Sequence, residues 1–258
     1  MFFHLSVFLQ SALFTVVVAF GSGKAAGEYL TETGLGGALL AAAALFLGGW
    51  YFGRVAQRLA QRRLLGVLPI LLLPAAIASS LLVDDLVQRK MLAFIAGAVY
   101  YAIALGALRI RGCAKDQTAR SLLAAATIAT MFLVYASAYG IYLNFAISLG
   151  ILLLVLAAAT ALATFQYLSL LSEDRSKVRA YAALSAMLML EAFWGLSLWP
   201  FGYLTTGVIA LIFYYVLWDT IQCHLAQMPL KGRVIANVSL LVVLASAVLA
   251  TTRWIPVV

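Results

Sequence analysis

One carboxylate in this chain stands where a charge is expensive. Glu191 lies in LMLEAFWGLSLWPFGYL (188–204), a segment otherwise almost wholly apolar. A charged side chain at the centre of a hydrocarbon layer costs roughly 2.5 to 3.5 kcal/mol on insertion scales, so it either carries a function or finds a buried partner. Counting about 1.5 Å of rise per residue from the ends of the apolar runs places Gln10, Tyr100, Tyr101, Tyr135, Tyr214 and Tyr215 at the depth of Glu191. Trp194 and Gly195 follow Glu191 at spacings of three and four, on the same helix face. Glu191, Tyr100, Tyr101, Tyr135, Gln10 and Trp194 are therefore the candidate midplane polar site. There the carboxyl accepts hydrogen bonds from tyrosine hydroxyls or Gln10, or keeps a proton. Such a layer suits a proton-linked or small-solute transporter, or a satisfied polar cluster that fixes helix packing.

The second constellation, Asp219, Gln166, Asn237 and His224, belongs nearer the cytoplasmic surface, about 10 to 15 Å from Glu191 in depth. Asp219 and Cys223 are four apart and share a face. A zinc or haem site needs several convergent ligands, and the only histidines are His4 and His224, so no metal or cofactor is expected. A polar helix end is the simpler reading. A lipid-modifying enzyme would need more polar groups converging here, and neither HExxH nor GxSxG occurs. The glycine-rich FGSGKAAGE (20–28) lacks the GxxxxGK[ST] spacing and a preceding strand, so it is not a phosphate loop.

The elements that must position these residues are written in the composition. Of 258 residues, 65% are hydrophobic and 10% charged, and the mean hydropathy is +1.05. These values lie outside the range of soluble globular domains. Apolar runs long enough to cross about 30 Å of hydrocarbon recur at about 3–21, 34–53, 64–82, 91–108, 121–142, 146–170, 180–200, 202–222 and 234–252. The expectation is an all-α polytopic bundle of about nine transmembrane helices, one helical domain over 1–258 with no soluble domain. Pro69 and Pro74 in the third run, and Trp199-Pro200-Phe201-Gly202 after the seventh, could mark broken or re-entrant segments.

Charge sets the orientation. The net charge of +8 does not mark a nucleic-acid binder, because 13 of the 17 basic residues fall in alternate connections (54–63, 109–120, 172–179 and 223–233). Lys24, Arg89, Lys90 and Arg253 are left for the other side, so the positive-inside rule places the N-terminus in the cytoplasm and the C-terminus outside. Tyr29, Tyr142, Trp199, Tyr203 and Trp254 then mark the outer aromatic belt, and Trp50, Tyr51, Tyr167, Tyr181 and Trp218 the inner one. Cys113 and Cys223 fall in cytoplasmic connections, where thiols stay reduced, so no disulfide is expected. The first run lacks the basic n-region of a signal peptide and reads as a span.

Small residues four apart (Gly49/Gly53, Ala102/Gly106, Ala136/Gly140, Ala146/Gly150) suit close helix packing. AAATIATMF (124–132) and AAATALATF (157–165) match as Ala/Thr-rich segments do, without implying a repeat. The last third resembles uncharacterised bacterial polytopic membrane proteins in EAFWGLSLWP (191–200), the pair Tyr214 and Tyr215, His224 and TTRW (251–254). That resemblance implies a bacterial inner membrane and carries no activity, cofactor or site residue. The function classes are a transporter working through Glu191, an accessory or assembly subunit of a membrane complex, and a lipid-modifying enzyme. The expected surroundings are the lipid bilayer, with a membrane-protein partner or homo-oligomer.

Overall fold

In hydrocarbon every backbone polar group has to be satisfied within the protein, so long apolar runs become helices. The computed structural model of the protein describes residues 2–21, 34–61, 63–113, 116–145, 147–172, 174–225 and 230–251. Among these residues are nine α-helices and no strand: α1 (Phe2–Gly21), α2 (Gly34–Ala60), α3 (Val67–Leu81), α4 (Leu86–Gly112), α5 (Gln117–Asn144), α6 (Leu149–Leu171), α7 (Arg175–Ser197), α8 (Tyr203–Leu225) and α9 (Leu230–Thr251). Five of them, α4 to α8, are long and apolar enough to cross a membrane. Lys24, Tyr29, Trp254, most of the glycine-rich stretch after Gly21 and the end of TTRW lie outside the described residues.

Aspartates set several helix starts, because a helix leaves its first N–H groups without internal partners. The Asp85 carboxylate accepts from the Val87 N–H at 3.1 Å ahead of α4, and Asp116 from Thr118 at 2.9 Å ahead of α5. Asp174 accepts from both Ser176 and Lys177 ahead of α7, at 3.1 and 3.3 Å. Among the described acidic residues only Glu191 and Asp219 lie inside helices. Cys113 is exposed at the end of α4, as a connection residue should be, but Cys223 is buried inside α8. The expectation that both cysteines lie in connections fails there, because the helix runs about three residues past the apolar stretch.

The third run forms one α-helix of fifteen residues after a 3-10 turn, and the segment after the seventh is a turn between two helices. Pro69 falls in the first turn of α3, where no N–H donor is needed. Pro74 is interior and leaves the Ile70 carbonyl without its helical donor, yet α3 continues to Leu81. After α7, a turn over 198–202 is closed by the Leu198 N–H on the Gly195 and Leu196 carbonyls and by Phe201 N–H to Trp199 O at 2.8 Å.

The chain divides into two compact units, Met1–Leu133 and Val134–Val258. In the first, α4 packs against α1, α2 and α3. Gly97 lets α1 approach, and Ser11 Oγ donates to the Gly97 carbonyl at 2.9 Å. At the α2–α3 contact a Cβ on Gly53 would stand 2.7 Å from the Gly66 oxygen, and one on Gly49 3.2 Å from Ile70 Cα. Only glycine admits backbones this close. In the second unit α6, α7, α8 and α9 pack in succession. Gly207 of α8 meets Ala136, whose Cα would lie 2.9 Å from an added Cβ. A Cβ added at Gly150 would meet nothing within 4 Å, and Ala146 lies outside the described residues.

Candidate functional site

The tyrosines of the second unit converge on one layer. Tyr135, on the C-terminal half of α5, shares a 3.0 Å hydrogen bond with Thr160 of α6, whose hydroxyl also lies 2.7 Å from the Leu156 carbonyl. One turn on, the Tyr139 hydroxyl donates to the Phe193 carbonyl of α7 at 2.8 Å. Tyr214 of α8 pairs with Thr164 at 3.3 Å. The Phe193 ring lies between these groups, edge-on to Tyr135 at 5.0 Å. All six side chains are buried. Every tyrosine hydroxyl in the layer thus has a partner, as buried polar groups require. The layer is closed to solvent and holds four helices in register.

Glu191 is not part of it. It was expected in a buried polar layer, accepting from tyrosines or Gln10, but it lies on the exposed side of α7, and no hydrogen bond or ion pair reaches it among the described residues. The helix geometry explains this. Val178, Ala182, Ser185, Met189 and Phe193 form the buried stripe at spacings of three and four. Leu184, Met187, Leu188, Glu191, Trp194 and Leu198 form the opposite face and are exposed. Trp194 does accompany Glu191, about one turn away, and is 54% exposed. Glu191 is about 18 Å along the axis from Arg179 and about 9 Å from Ser197, well inside the apolar stretch.

The other midplane residues belong to the first unit. Tyr100 is fully buried and stacks on Phe14 at 4.7 Å, with Phe52 edge-on at 5.2 Å. Its hydroxyl and the Gln10 Oε1 are buried and have no partner among the described residues. Tyr101 is half-buried. The expected grouping of Gln10, Tyr100 and Tyr101 with Tyr135, Glu191 and Trp194 is therefore divided by residue membership between two units.

At the other end of α8, Asn237 Nδ2 donates to Asp219 Oδ2 at 2.6 Å, and Cys223 Sγ lies 3.8 Å from the same oxygen. Asp219 is half-buried and links α8 to α9. His224 is exposed, its ring 5.8 Å from that of Tyr181, and Gln166 is buried on α6. No group of three potential metal ligands occurs among the described residues. Ser185 Oγ and Trp218 Nε1, on α7 and α8, are buried without partners among the described residues. A shallow groove on α4 lined by Val87, Lys90, Met91, Phe94 and Ile95 contains no residue of either constellation.

No protein-family model, curated protein or solved structure matches this chain. Residues alone carry the functional argument. Sequence reasoning missed Tyr139, Phe193, Thr160 and Thr164. The four-residue spacing of Tyr135 and Tyr139, which places both on one helix face, was the available signal for the first.

Proposed function

We propose that this chain is a multi-pass membrane protein that works by lateral association, as an accessory or assembly subunit, docking another membrane protein on the outer face of α7. The observation that carries the reading is Glu191, a carboxylate without a partner among the described residues, in the middle of an exposed apolar face. Lipid cannot supply hydrogen bonds or an opposite charge at that depth, whereas a partner helix can. Of the five helices long and apolar enough to span, α7 is the least buried. The occupant proposed is a transmembrane helix that presents a cationic or hydrogen-bond-donating side chain opposite Glu191. A second copy of this chain fits less well, because no Lys or Arg stands in the middle turns of any described helix. Transport draws less support from the sealed, fully paired tyrosine layer, and lipid-modifying chemistry less from an Asp219 already engaged by Asn237. The nine-span topology with a cytoplasmic N-terminus, and a bacterial inner membrane as its location, belong to the same proposal.

Photo-crosslinking in native membranes tests it. A benzophenone side chain placed at Leu188 or Trp194 should give a discrete protein adduct that is lost on Glu191→Ala. The same probe at Leu154, exposed on α6, should give only lipid adducts. Lipid adducts alone at all three positions would overturn the proposal. An adduct of twice the chain's mass would replace the foreign partner with a second copy.

A further inference from the structure

We propose that the exposed face of α2 between Phe46 and Arg58 is a binding site for an anionic phospholipid. Phe46, Trp50, Arg54 and Arg58 recur every four residues, and all four are exposed. Leu47 and Tyr51 widen the first half of the stripe. The four positions span about 18 Å along the helix, and their order is apolar, aromatic, cationic. That is the order a phospholipid presents along its length: acyl chain, glycerol region, phosphate. The Arg54 guanidinium carbon sits 4.3 Å from the centroid of the Trp50 ring, so the aromatic residue orients the charge. No carboxylate lies within 4 Å of Arg54 or Arg58 among the described residues. Arg109 and Lys177, by contrast, are held by Asp116 and Asp174 at 3.9 and 3.4 Å. Two exposed arginines one turn apart offer charge-assisted hydrogen bonds to the single negative charge of a phosphodiester. The adjoining apolar surface commits the site to a lipid, because a free phosphate would leave it unused.

The inference rests on the reading of the first unit as membrane-embedded, and the test separates the two. The full-length protein is reconstituted in vesicles and floated on a density gradient. Failure to float removes the membrane reading and this site with it. The floated protein is extracted in mild detergent and examined by native mass spectrometry with equimolar phosphatidylglycerol and phosphatidylcholine of matched acyl chains. The expected result is selective retention of phosphatidylglycerol. Each arginine replaced by glutamine should weaken that retention about fivefold. Arg54→Lys/Arg58→Lys should restore most of it, and Arg111→Gln, at the end of α4, should leave it unchanged. Excess inorganic phosphate should not displace the lipid. Equal retention of the two lipids, or an Arg54→Gln/Arg58→Gln variant that binds like the parent, would overturn the site while leaving the membrane reading standing.

Discussion

In the first unit Phe14, Phe52 and Tyr100 pack ring against ring and the Tyr100 hydroxyl meets no partner, whereas in the second Tyr135, Tyr139 and Tyr214 each bring a hydroxyl to an acceptor or donor on another helix. The same residue type fills space in one place and fixes register in the other. Stacked rings tolerate sliding, because dispersion contacts are non-directional. A hydroxyl aimed at one carbonyl does not, because hydrogen bonds weaken steeply with angle. The second unit is therefore held by directional contacts that the aromatic core of the first lacks.

The largest expected effects test what the two cores share. Phe193→Ala and Phe14→Ala each remove a fully buried ring and should each cost roughly 3 to 5 kcal/mol. Denaturant unfolding in detergent micelles would measure both. A large cost at one position and a negligible one at the other would break the claim that ring burial supports both units alike.

A smaller effect separates them. Tyr139→Phe deletes a donor to the Phe193 carbonyl and should cost about 0.5 to 1.5 kcal/mol. Tyr100→Phe deletes a hydroxyl with no partner and should be neutral or slightly stabilising. The same unfolding assay compares them. A loss at Tyr100 equal to that at Tyr139 would show that a bound water or other group satisfies Tyr100, and the contrast would disappear.

The smallest effect lies at the helix starts. Asp85 accepts one N–H, whereas Asp174 accepts two and has the Lys177 ammonium beside it. The Lys177 N–H, more than any other group, holds the Asp174 carboxyl below its ordinary value of 3.8. A carboxyl lowered in the folded state contributes stability that is present above the unfolded value and is lost as pH falls through the folded one. Carboxyl NMR titration should find Asp174 protonating below pH 3.8. Protonation at or above that value would remove the Lys177 contact as a cause.

Element positions were legible in the sequence because long apolar runs are a local signal. Pro69 and Pro74 suggested a break only because local rules cannot see that α2 packs against α3 where the Ile70 carbonyl is freed. Which way Glu191 faces was not legible, for a reason particular to membranes. A soluble helix shows its buried side by contrast with a polar one, but α7 carries apolar residues on both faces, Met189 and Phe193 on the buried one and Met187 and Leu188 on the exposed one. Depth could be counted from Arg179, whereas azimuth could not. The link from Asp219 to Asn237 joins different helices, so only their similar depth hinted at it.

The brevity of α3 has a consequence of its own. Its fifteen residues rise about 22 Å, short of a hydrocarbon layer about 30 Å thick. Where the first unit spans a bilayer, that mismatch is met by thinning the lipid or by covering the helix ends with protein. Gly49 and Gly53 bring α2 against the start of α3, and α1 and α4 also pack on it. The shortfall then falls on neighbouring helices, and α3 would depend on them to settle in a membrane of ordinary thickness.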